Sequence, residues 1–337
     1  MSRTSSSFTH PRAWLAVLLL LMAGMLPLAG CGASASDNSL TVGLTYIPNI
    51  QFAPFYVAQS LGYYKAAGLD VTLRHHGASE DEFGALISGK ENLIFAGGDE
   101  TLQARAQKQD IVYVAEVFTK YPVALIVPSD SPIQKASDLK GHSVGIPGKF
   151  GATWIGLLAL LSSAGLKQDD VNIQTVGFTQ VQALVTKKVD TVMGYLNNEP
   201  IQLQKQGMAV RTIDVASAQP LISNGIAALR STLNAHPDQV KAFIAATLKA
   251  VDYSIAHPQE AVEISKADVP GLDNPTNAAD ALTVLKATLP LWEHSGKAGS
   301  SDPAAWKSMA DFMQAQGLLT NSIGDVTKAY SNDYLPA

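Results

Sequence analysis

From residue 40 to about residue 230, apolar runs of roughly five residues alternate with stretches whose apolar positions recur at helical spacing. The runs at 40–46, 70–73, 93–96, 111–117 and 123–127 read as strands, as do 143–146, 172–176, 191–194 and 209–213. Between them, 52–67, 80–88, 153–164 and 180–187 read as helices. Strands alternating with helices predict an α/β fold of open, parallel-type sheets covered by helices. From His236 onward the pattern is helical alone. Val240, Phe243, Ile244, Thr247, Leu248 and Val251 mark one face, and Pro258, Pro275 and Pro303 sit where helices would start.

An internal repeat sharpens this picture. Ala85-Leu86-Ile87-Ser88 matches Ala183-Leu184-Val185-Thr186, and at the same spacing Lys90 matches Lys188, Asn92 matches Asp190 and Ile94 matches Val192. After one inserted residue Glu100 aligns with Glu199. Both copies read as helix, loop, strand and a polar loop opening a helix. Two lobes built alike would bring both sets of strand-end loops to one cleft, where open α/β sheets bind ligands.

The first forty residues carry a different pattern. Residues 1–12 are polar, with Arg3 and Arg12 and no acid, and an apolar run over 13–28 leads into Leu28-Ala29-Gly30-Cys31. A basic start, a short apolar core and small residues at a cut site describe a secretory signal peptide. The run is close to the minimum for a membrane span and contains Pro27, which argues against a retained transmembrane helix. Leu-Ala-Gly-Cys resembles a bacterial lipobox, which implies a diacylglycerol thioether on Cys31 and cleavage before it. Buried acyl chains contribute about 0.8 kcal/mol per CH₂ and so make a stable anchor. Cys31→Ser is expected to release the protein from membranes, checked by palmitate labelling of the membrane fraction.

Composition then excludes several function classes. The chain has 337 residues, 24 basic against 29 acidic, and Cys31 is its one cysteine. Losing Arg3 and Arg12 with the signal leaves 22 basic residues and a net charge of −7. That balance argues against nucleic-acid binding, and a lone cysteine excludes a disulfide framework and multi-cysteine metal sites. His75-His76 invites a metal reading, but neighbours on a strand point to opposite faces. Gly148-Lys149-Phe150-Gly151-Ala152-Thr153 could cradle an anion ahead of a helix, yet it fits neither the phosphate-loop nor the dinucleotide pattern. No metal and no cofactor are expected.

The block Tyr46-Ile47-Pro48-Asn49-Ile50-Gln51-Phe52-Ala53-Pro54-Phe55-Tyr56-Val57-Ala58 follows the first strand. Leu61-Gly62-Tyr63-Tyr64-Lys65-Ala66-Ala67-Gly68-Leu69-Asp70-Val71 completes it. With Ser137-Asp138-Leu139-Lys140-Gly141, it resembles the substrate-binding proteins of ABC importers, in the branch of thiamine-pyrimidine and riboflavin binders. The resemblance covers most of residues 40–230 and is looser beyond. It implies a two-lobed type II periplasmic-binding fold, with hinge crossings near 121–124 and 222–225. The expected organisation is a signal peptide at 1–30, a lipidated tether at 31–39, lobe 1 from 40–121 with 225–337, and lobe 2 at 122–224. It also implies a monomer on the outer face of the membrane, a permease partner and a separate ATPase subunit.

Pyrimidine-precursor binders carry Asp-Trp ahead of the first Pro-Asn, where this chain has Thr45-Tyr46. Asn49 with the aromatics after it, and Gly194-Tyr195-Leu196-Asn197-Asn198-Glu199-Pro200, are closer to riboflavin-type binders. Riboflavin is therefore the expected ligand, with a thiamine-precursor pyrimidine or another small aromatic or anionic solute as the alternative. A flat heterocycle needs aromatic faces and edge-reading polar groups. The candidates are Tyr46, Asn49, Phe52, Asp99, Glu100, Phe150, Thr153, Trp154, Tyr195, Asn198 and Glu199. The aromatics could equally pack in the core, and Asn49, Asn198 and Glu199 could cap helices. Family members that synthesise pyrimidine use His and Cys residues, and this chain has no cysteine beyond Cys31. An enzyme or a structural lipoprotein is the remaining alternative to a binder.

Overall fold

The computed structural model describes residues 38–77 and 80–336; Cys31 and the signal-like segment lie outside them. Two five-stranded sheets organise the described chain. The first contains β1 (Ser39–Leu44), β2 (Asp70–His75), β3 (Leu93–Gly97), β4 (Ile111–Glu116) and β10 (Asn224–Leu229), in the order β2-β1-β3-β10-β4. The second contains β5 (Val123–Pro128), β6 (Ser143–Ile146), β7 (Asn172–Thr175), β8 (Thr191–Tyr195) and β9 (Val210–Asp214), in the order β7-β6-β8-β5-β9. Each sheet is mixed. β10 runs antiparallel to both its neighbours, and so does β5. The chain leaves the first sheet after Glu116, enters the second at Val123, and returns from Asp214 to Asn224.

The two sheets repeat one topology, and the repeated sequence sits at the centre of each. In the first, α3 (Gly84–Ile87) leads into β3 and α4 (Gly98–Ala106). In the second, α6 (Gln180–Val185) leads into β8 and α7 (Glu199–Lys205). The turns match in detail. Lys90 N–H donates to the Ala85 carbonyl and Lys188 N–H to the Ala183 carbonyl, both at 2.9 Å. The residue before each is left-handed: Gly89 at φ 74° and Lys187 at φ 55°. Only the first copy has a glycine there, so the second strains a side chain. Lys187→Gly is expected to stabilise the protein by about 0.5–1 kcal/mol. A urea midpoint lower than the parent's would contradict this.

The predicted helix over 52–67 is broken into α1 (Ala53–Ser60) and α2 (Tyr63–Ala66), because Gly62 takes a left-handed φ of 70°. The predicted helix over 80–88 shortens to α3, its first residues being turns. The C-terminal helices are α8 (Arg230–Ala235), α9 (Pro237–Ala256), α10 (Pro258–Ser265), α11 (Pro275–Trp292) and α12 (Pro303–Ala315). Proline opens α9 to α12, where its missing N–H costs nothing. The predicted face of α9 is buried, and Phe243 stacks on Tyr64 with ring centroids 5.1 Å apart. One apolar cluster packs α1, α9 and α11 on the first sheet. A second takes residues from both sheets and from α12, whose Trp306 stacks on Tyr330.

Candidate ligand cleft

A cleft of about 680 Å³ is lined from both sheets. Thr45 and Tyr46 follow β1, Phe118 follows β4, Pro147 follows β6 and Phe178 follows β7, while Phe95 lies in β3 and Tyr195 ends β8. These are carboxyl ends of parallel strands, where side chains and helix starts converge on a ligand. Pro122 and Asn224 line it at the starts of β5 and β10. The helix α5 (Gly151–Ser163) brings Gly151, Ala152 and Thr153 to the wall, and α11 brings Asp280, Ala281 and Val284.

The four most exposed aromatic side chains among the described residues all line this cleft: Phe178 (85% exposed), Phe150 (60%), Tyr46 (54%) and Tyr195 (36%). Apolar rings left in water on both sides of one cavity present stacking faces to a flat molecule. Phe52 also lines the cleft but is anchored, its ring 5.8 Å from Phe95 and 5.3 Å from His75.

The polar wall is acidic. Glu100 Oε2 accepts from Gly97 N–H at 2.7 Å, and Glu199 Oε2 accepts from Tyr195 N–H at 2.7 Å. The aligned glutamates of the repeat thus reach back to the ends of equivalent strands, and both line the cleft. Burial raises the Glu199 carboxyl above its usual range. Glu82, on the turn before α3, faces Glu100, and burial followed by that negative neighbour holds its carboxyl well above the usual range. The turn is held through Arg74, which donates 2.5 Å bonds to Glu80 and to the buried Glu91; Glu91 also meets His76 at 2.8 Å. Glu82, Glu100 and Glu199 have no ion-pair partner among the described residues, whereas Asp280 meets Lys205 at 2.6 Å.

Nine of the eleven candidate residues line the cleft: Tyr46, Asn49, Phe52, Glu100, Phe150, Thr153, Tyr195, Asn198 and Glu199. Asn49 also caps a short 3₁₀ turn by accepting from Gln51 N–H, and Asn198 accepts from Gln202 at 2.7 Å. Asp99 and Trp154 are not on the lining. One residue before Glu100, the buried Asp99 carboxylate instead accepts the Tyr121 hydroxyl at 2.7 Å, tying α4 to the segment that crosses between sheets. Trp154 follows Thr153 on α5 and is rotated into the core, with the Lys149 ammonium 5.4 Å from its ring centroid. Glu82, Phe178, Gln180 and Asn197 line the cleft without having been predicted. Phe178 had a signal, an aromatic in the polar loop between a strand and a helix. Asn197 sits in the quoted loop, whereas Glu82 belongs to no pattern.

Burial raises the Asp99 carboxyl to about 7, with the Glu100 charge adding to the shift. The folded state therefore keeps a proton that the unfolded chain releases near pH 4, so stability falls as pH rises from about 4 to about 7. Asp99→Asn is expected to remove part of that fall. Urea unfolding at pH 5 and pH 8 measures it; an unchanged difference between the two pH values would contradict the assignment.

Two α/β lobes of one topology, joined by two crossings and enclosing a cleft at their strand ends, define the periplasmic-binding-protein fold. Over 89% of this chain and 99% of the other, the fold matches the periplasmic aliphatic sulphonate binding protein SsuA from Escherichia coli, with a TM-score of 0.71 and 18% identity. The chain belongs to the NMT1/THI5-like family, whose model matches residues 49–261. It is 34% identical over 310 residues to the riboflavin-binding protein RibY of Chloroflexus aurantiacus, covering 90% of this chain and 88% of that protein. It is also 25% identical over 296 residues to the 4-amino-5-hydroxymethyl-2-methylpyrimidine phosphate synthase of Aspergillus parasiticus, covering 84% and 83%.

Proposed function

We propose that this chain is the extracytoplasmic substrate-binding lipoprotein of an ABC importer and that its ligand is riboflavin. The observation that carries the reading is the aromatic rim, with Tyr46 on one lobe and Phe150, Phe178 and Tyr195 on the other around a cleft walled by acceptors. The likeness to RibY supports the choice of ligand. Ring stacking takes the isoalloxazine, and carboxylates and amides take the ribityl hydroxyls. Ligand bridging both lobes favours the closed state by its difference in affinity for the two states, and the closed monomer docks on a permease powered by a separate ATPase subunit. Lobe boundaries at 121/122 and 224/225 and an anchor at Cys31 complete this reading. Binding without catalysis is supported by the likeness to RibY, itself a binding protein.

A second reading is a thiamine-precursor pyrimidine. The Glu82–Glu100 pair favours it, because a carboxyl and a carboxylate side by side can match the donor and acceptor edge of an aminopyrimidine. Thermal melts with each compound separate the two. A ligand that binds only the folded state raises the melting temperature by an amount that grows with the logarithm of its concentration over its Kd. Riboflavin is expected to raise it; a rise with the aminopyrimidine alone would assign the second reading.

A further inference from the structure

We infer that Glu100 and Glu199 make the cleft selective against anionic ligands, so that it takes the free, hydroxyl-bearing vitamin and rejects its phosphate ester. The inference rests on the proposed function and adds a charge rule to it. No lysine, arginine or histidine is among the lining residues, while Glu82, Glu100, Glu199 and Asp280 are. Two cations beside the lining are engaged elsewhere: Lys149 lies against the Trp154 ring and Lys205 is paired with Asp280. Glu100 and Glu199 each use one oxygen on a strand-end amide and carry no compensating positive charge.

The remaining polar wall points the same way. Asn197 is 1% exposed and lines the cleft; its amide nitrogen donates to Thr288 at 2.9 Å, and its oxygen has no partner. A buried acceptor without a partner calls for a donor. Hydroxyls supply donors, whereas an ionised phosphate offers acceptors alone and brings about −1.5 to −2 charges. One feature favours anions, the start of α5, whose N–H groups have no side-chain cap and which lines the cleft. Its dipole is worth about half a positive charge, less than the two glutamates facing the same space. That end suits a neutral acceptor such as a ring carbonyl. The sulphonate specificity in the name of a protein of the same fold is therefore not expected here.

The test uses the full chain in detergent and compares riboflavin with flavin mononucleotide by fluorescence titration, then repeats both with Glu100→Gln, Glu199→Gln and the double variant. Glutamine keeps an oxygen for the strand-end amide and removes the charge, so the fold is expected to persist, and melting temperatures check this. The parent should bind the phosphate ester at least about 100-fold more weakly than riboflavin. The double variant should narrow that ratio at least about tenfold while retaining riboflavin binding. Equal affinity of the parent for both flavins, or an unchanged ratio in the double variant, would overturn the charge rule and leave the riboflavin reading standing. Binding of neither flavin would overturn the riboflavin reading and the inference with it.

Discussion

Replacing Tyr46 and Phe178 together by alanine is expected to weaken riboflavin binding by at least about 100-fold and to leave the melting temperature nearly unchanged. The two rings belong to different lobes, at 54% and 85% exposure, so each has most of its face in water before a ligand arrives. Covering one aromatic ring is worth about 1.5–3 kcal/mol, and each 1.4 kcal/mol is tenfold in affinity. The same exposure means that neither ring supports the core, and surface substitutions change stability by about 0.5 kcal/mol or less. Each single variant should show part of the loss. Parent-like affinity in the double variant would move the site away from this rim.

Gly225→Ala is expected to cost about 3 kcal/mol or more and to lower the melting temperature by roughly 5–10 °C. Gly225 is the second residue of β10 as the chain returns to the first sheet, and it pairs with Ala96 on one side and Glu116 on the other. A Cβ there would lie 2.1 Å from the Ala115 carbonyl oxygen and 2.1 Å from the Tyr113 hydroxyl. The first obstacle is backbone held within a sheet, and the second is a buried side chain that donates to the Ser223 carbonyl at 3.0 Å. Neither can retreat without breaking pairing at the crossing between lobes. A melting temperature within a degree of the parent's would show that this strand start yields more easily than its geometry implies.

Much of the fold was legible because its strands are short apolar runs between helical patterns, and nine of the ten observed strands coincide with such runs. The strand that was missed is β10, Asn-Gly-Ile-Ala-Ala-Leu. Glycine and alanine have weak strand preference, and an interior strand buried between two neighbours tolerates them. Its antiparallel entry makes the first sheet mixed rather than parallel, as β5 does for the second. The break at Gly62 was likewise hidden, because apolar spacing continues across it while the backbone does not.

The site was legible at loop level and uncertain at residue level. Strand-end loops reach the cleft by topology, but which of two neighbours faces it depends on the first turn of the following helix. Thus Glu100 lines the cleft while Asp99 holds Tyr121, and Thr153 lines it while Trp154 is buried. Glu82 reaches the site from the turn before α3, beside a Glu100 that follows β3, a juxtaposition no local pattern encodes.

The most direct test of the account is a titration of the purified protein with riboflavin followed by flavin fluorescence. The account predicts saturable quenching at one flavin per chain with micromolar or tighter affinity, lost in the Tyr46→Ala, Phe178→Ala double variant. Flavin emission unchanged by the protein up to about 100 μM, well above the range expected of a stacked and hydrogen-bonded ligand, would contradict it.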